Sequence, residues 1–145
     1  MSELNPENTC AHLINQEIPD ITIEDMFKMQ KSLQDFLASK GRAQDLSKMS
    51  FKESVNQIII HYNNVQLEYA ELMERLPHKA WKTYTPEQLS GFIDEKQKLE
   101  VLYEYIDMFH FFMNIGLCLG IDGELFKKLY YTKNKENFNR QNTGY

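Results

Sequence analysis

The segment LEVLYEYIDMFHFFMNIGLCLG, from Leu99 to Gly120, constrains the fold more than any other part of the chain. It is apolar almost all round, the pattern of a helix expected to be buried on every side. Its polar residues are not scattered. Glu100, Glu104, Asp107, His110 and Asn114 step by three or four and so share one helical face. Unpaired carboxylates are costly to bury, so this stripe must meet solvent, cations or a metal.

A second long helical segment, NQIIIHYNNVQLEYAELMERL, carries a matching stripe of Gln57, His61, Asn64, Glu68, Glu71 and Arg75. Antiparallel packing of the two segments would let Glu68 and Glu71 face Glu104 and Asp107. Four carboxylates would then converge at one level of a bundle. A single ExxE on a helix is commonly a solvated face, and by itself His110 reads as a histidine hydrogen-bonded in the core. Four oxygen donors without a cysteine favour a hard ion, Mg²⁺ or Mn²⁺, over zinc, and magnesium held this way leaves positions for water and phosphate oxygens. A di-iron centre in a bundle needs two ExxH motifs, and only Asp107-x-x-His110 approximates one.

The rest of the chain supports an all-α fold of four to five main helices. ITIEDMFKMQKSLQDFLASKG reads as a helix with Met26, Met29, Leu33 and Phe36 at helical spacing and Gly41 after its C-cap. Residues 42–49 read as a loop. Ser50 with Glu53, and Thr85 with Gln88 around Pro86, are capping-box starts. Pro77 ends the first long helix, Gly91 interrupts the chain before the second, and Asp122 caps a last helix that runs into the tail. No alternating strand pattern is present, and 145 residues suit one domain, 1–145, with an irregular segment 1–20 that has an apolar foothold at Ala11 to Ile14.

With 42% hydrophobic residues and 12% aromatics, the composition is that of a folded globular chain. A formal charge of −5 argues against nucleic-acid or acidic-membrane partners. Cys10 and Cys118 form no metal-ligand spacing, and Cys118, in an apolar stretch, reads as a buried thiol. No segment reads as a signal peptide or membrane span, so a cytoplasmic location is expected.

Glu68-x-x-Glu71 followed by Glu104-x-x-Asp107 resembles the all-α nucleotide pyrophosphatases, the superfamily of MazG and the dimeric dUTPases. Five further stretches narrow the resemblance: CAHLI near the start, MFKMQKSLQ, AWK, IDMFHF and the tail KNKENFNRQNTGY. Together they are similar to the dCTP pyrophosphatase (dCTPase-dUTPase) family of T-even bacteriophages over nearly the whole chain, least so from Gly41 to Gln57. The resemblance implies Mg²⁺-dependent hydrolysis of dCTP, and of dUTP, to the monophosphate and pyrophosphate. That activity would clear unmodified pyrimidine triphosphates during phage infection, in the host cytoplasm. It also implies a homodimer, in keeping with the wide apolar faces of the two long helices.

By the family pattern Glu68, Glu71, Glu104 and Asp107 hold the metal, and one of the glutamates, with Glu71 as the leading choice, acts as base. Dimeric dUTPases have a glutamine and, four residues on, an asparagine near the uracil. Gln30 and Gln34 stand here instead, and the longer second carboxamide points toward acceptance of cytosine. Trp81 and His110 match residues that lie against the nucleotide, with Lys82 beside Trp81. An acidic metal cluster repels the rest of a triphosphate, so cations must reach its outer oxygens. Lys133, Asn137 and Arg140 step by four and three onto one helical face, and with Gly144 and Tyr145 they make the tail, residues 130–145, a phosphate clamp. Two rivals remain: a MazG-like enzyme of broader specificity, and a non-enzymatic helical interaction module that would tolerate Glu104→Ala.

Overall fold

The computed structural model describes residues 17–144; Cys10, the Ala11–Ile14 foothold and Tyr145 lie outside the described residues. Among those described, the chain is all-α. Its helices are α1 (Ile23–Ser39), α2 (Phe51–Glu74), α3 (Pro86–Ser90), α4 (Glu95–Cys118) and α5 (Gly123–Thr143). The expected loop at 42–49 contains a short 3-10 turn, Leu46–Lys48, started by the Asp45 side chain accepting from the Ser47 amide.

Each helix begins where a side chain satisfies its first free amides. Thr22 and Asp25 form a reciprocal capping box on α1, where Glu24 and Asp25 also favour the positive end of the helix dipole. Ser50 accepts from the Glu53 amide at 3.3 Å while its own amide donates to Glu53 Oε2 at 2.7 Å, which starts α2. Thr85 and Gln88 do the same for α3 with Pro86 in its first position. Asp94 accepts from the Gln97 amide at 2.7 Å at the start of α4, and Asp122 accepts from the Leu125 amide at 2.9 Å at the start of α5. Gly41 and Gly120, with φ of 68° and 76°, follow the ends of α1 and α4 in the left-handed conformation that side-chain-bearing residues avoid.

The described residues gather into two compact units. The first centres on Ile60–Phe112 and the second on Asp20–Ile59 with the chain from Met113 onward. In the first, α2 and α4 run antiparallel as expected. Arg75 meets Glu100 and Glu104, while further along the pair His61 lies against Phe111, with ring centroids 6.1 Å apart. In the second, α1 packs on α5 through Phe27 and Phe126, whose centroids are 5.5 Å apart. Gly123 is needed there because a Cβ at that position would stand 2.2 Å from the Glu24 Cα. Phe27 also touches the Gly116 position of α4.

Burial departs from the sequence expectation in several places. The apolar stripe of α1 does not face inward: Met29, Leu33 and Phe36 are exposed, and the buried residues are Phe27, Gln30 and Gln34. Helix α4 is not buried on every side either. Val101 and Met113 are buried, but Leu102, Tyr105, Ile106 and Phe112 are exposed. With so few helical segments gathered in each unit, each helix keeps an outer face, whatever its polarity. Cys118 is only partly buried, and desolvation raises its thiol pKa. Among the described residues no helix is long and apolar enough to cross a membrane.

Candidate metal and nucleotide site

The two polar stripes meet. Glu68 and Glu71 from α2 and Glu104 from α4 each place a carboxylate oxygen within 4.8 Å of the others. One helix turn separates Glu68 from Glu71, so both point the same way, and the antiparallel register brings Glu104 opposite them. Glu104 is buried, Glu68 partly so, and Glu71 is exposed. Burial raises the Glu68 carboxyl to about 7, helped by the negative charges of Glu71, Asp107 and Glu104. Carboxylates held this close without compensation repel one another, and a cation relieves that repulsion. An all-oxygen donor set suits a hard divalent ion, so the residues present fit such an ion.

Asp107 stands outside the close trio. Its Oδ1 lies 3.5 Å from His110 Nδ1, and burial raises its pKa while His110 acts to lower it. His110 is therefore not a core histidine: its side chain is nearly half exposed and pairs with Asp107 one turn away. Helix α4 leaves that face uncovered, which is why the core reading fails.

Arg75, at the end of the acidic stripe and not among the site residues expected from the sequence, joins this cluster through its ion pairs. Its Nε and Nη2 donate to Glu104 Oε1 at 3.1 and 2.8 Å, and its Nη1 donates to Glu100 Oε2 at 3.0 Å. The spacing from Glu71 to Arg75 could have found it, since i, i+4 places the guanidinium on the same face. His61 belongs to the same stripe. It is buried, its pKa is lowered by desolvation, and its Nδ1 has no hydrogen-bond partner among the described residues.

Beyond the end of α2, a cavity of about 500 Å³ is walled by residues that include Arg75, Lys79, Lys82, Tyr84, Gln97 and Glu100. Lys82 lies over the Tyr84 ring, 5.8 Å from its centroid, while Lys79 is tied to Glu74 at 2.8 Å. Trp81 is 84% exposed in the α2–α3 connection.

The glutamine pair belongs to the second unit. Gln30 and Gln34 are 5% and 7% exposed, so they are not surface residues of an amphipathic helix. Gln30 Nε2 donates to Asn114 Oδ1 at 2.7 Å, and Asn114 is itself buried. This bond holds the Gln30 amide in one orientation and leaves its carbonyl oxygen for another donor. In the same unit, α5 is continuous to Thr143, so Lys133, Asn137 and Arg140 do share a face. Lys133 and Asn137 are exposed, and Arg140 Nε donates to Glu136 Oε1 at 3.0 Å. Gly144 closes the helix with φ of 74°.

The sequence matches a family described as dUTPase over residues 22–127. It is similar to the dCTP pyrophosphatase of Enterobacteria phage LZ5, 47% identical over 70 residues, and to that of Enterobacteria phage T4, 44% identical over 70 residues. Each match covers 46% of this chain and 41% of the relative, so the chain spans well under half the length of these curated relatives. A DNA replication protein of Enterobacteria phage T4 is 41% identical over 64 residues, which is 42% of this chain and 16% of that protein. No solved structure matches.

Proposed function

Because the chain belongs to the dUTPase family, we propose that it hydrolyses dCTP, and dUTP with it, to the monophosphate and pyrophosphate. The carrying observation is the convergence of Glu68, Glu71 and Glu104 from two antiparallel helices within 4.8 Å. The dCTP substrate is argued from the two phage proteins that bear that name. Glu68, Glu71, Glu104 and Asp107 would hold Mg²⁺, or Mn²⁺ in its place, which when bound neutralises the triphosphate and acidifies a bound water. To Glu71, the exposed member of the trio, we assign the role of base that accepts a proton from the attacking water.

Recognition of the base falls to Gln30 and Gln34, with Trp81 and His110 beside the nucleotide. With its amide nitrogen committed to Asn114, Gln30 offers an acceptor, which suits the exocyclic amine of cytosine. Lys82, Lys133, Asn137, Arg140 and Tyr145 are assigned to the phosphates. Cationic and amide donors on one face of α5 supply the charge-assisted bonds that a carboxylate cluster cannot.

The working form is a homodimer. Helix α1 turns Met29, Leu33 and Phe36 outward while burying two glutamines, and α4 exposes Leu102, Tyr105, Ile106 and Phe112. Apolar faces of this extent on a single chain are the surface that a second copy would cover.

The test is turnover of each NTP and dNTP with Mg²⁺, resolving monophosphate and pyrophosphate. The expected result is cleavage of dCTP and dUTP, with kcat falling at least about 100-fold in Glu71→Ala. Equal turnover of purine nucleotides would replace the pyrimidine assignment with a MazG-like one. Absence of any turnover would defeat the enzymatic reading.

A further inference from the structure

Glu104 is the most buried carboxylate of the trio, and it is held from two sides. Glu68 faces it across the helix pair. From the other side Arg75 donates twice to the same oxygen, Oε1, through Nε and Nη2. The third Arg75 donor, Nη1, goes to Glu100 Oε2, and the Arg75 backbone carbonyl accepts from Gln97 Nε2 at 3.2 Å. The guanidinium is thus held between two carboxylates, and the Arg75 backbone by Gln97. Its bonds to Glu104 both fall on Oε1, so they do not use Oε2.

Resting on the reading of Glu104 as a metal ligand, we infer that Arg75 is the positioning residue that presets this carboxylate for the cation. A free glutamate loses rotamer freedom when it binds an ion, and a ligand already oriented by a partner loses less. The positive charge of Arg75 would by itself oppose cation binding. Glu100, which is outside the trio, offsets that charge through its own bond to the guanidinium. What remains is orientation, which needs the planar fork of arginine and not merely a positive group.

The experiment measures Mn²⁺ binding to the full chain without nucleotide, by the electron paramagnetic resonance signal of the free ion. Circular dichroism confirms that each variant is folded. Arg75→Lys keeps the charge and loses the fork; the double variant Arg75→Gln with Glu100→Gln removes both charges together. The expected result is an increase in Kd of about 10-fold or more in each. A role confined to stability would lower Tm and leave Kd unchanged. Arg75→Lys binding Mn²⁺ within about two-fold of wild type, or the double variant binding as tightly, overturns the assignment. Wild-type protein that binds no Mn²⁺ overturns the metal reading itself, and Arg75 falls with it.

Discussion

Glu68 shows how a residue that looks ordinary in sequence acquires unusual chemistry from its neighbours. Its carboxyl titrates near 7 in the folded chain, against an ordinary value of 4.5, because it is partly buried and faces Glu71, Asp107 and Glu104. The folded state therefore binds this proton more tightly than the unfolded state does. Stability contributed by the group is fully present below about pH 4.5 and is lost as pH rises through about 7. Unfolding in urea should show the metal-free protein losing stability across that window. Glu68→Gln should flatten the loss, and saturating Mn²⁺ should offset it at pH 8. Equal pH dependence in wild type and Glu68→Gln would remove Glu68 as its source. The identity and spacing of these acids were legible in the sequence. The Arg75 fork on Glu104 and the Gln30–Asn114 bond were not, because each joins residues from different helices.

At the scale of helices, local chemistry set the boundaries. Side-chain starts at Ser50, Thr85 and Asp122 each satisfy an early amide where the sequence pattern places them, and Thr22 does the same for α1. The tail became the last two-thirds of a continuous α5 because nothing between Gly123 and Thr143 breaks a helix. Its contacts with α1 lie at the opposite end, through Gly123, Phe126 and Lys127. Removing residues 133–145 should therefore leave the packing of α1 on α5 intact. We expect a melting temperature within a few degrees of wild type, reduced helical circular dichroism and loss of dCTP turnover. A truncated protein with full activity would take the phosphate role away from Lys133, Asn137 and Arg140.

For the whole molecule, the distribution of apolar surface is the dominant fact. Among the described residues few large side chains are buried, and many are exposed along α1, α2 and α4. A homodimer predicts sedimentation at twice the 17.2 kDa chain mass. Phe36→Glu combined with Leu33→Asp should shift it to the monomer, since charges on a covered apolar face cost far more than on an open one. Wild-type protein sedimenting as a monomer at working concentration would defeat the dimer. The sequence by itself determined the all-α class, the helix starts and stops, and which acids share a face, because these follow from capping, backbone preference and the 3.6-residue repeat. Only the tertiary structure decided which face of each helix turns inward. In α1 that face carries Gln30 and Gln34, and the apolar stripe that periodicity would bury points out. Periodicity reports that a helix has two unlike faces. Which of them the chain covers depends on what the other helices offer, and here a buried asparagine on α4 accepts the hydrogen bond that lets a glutamine go inside.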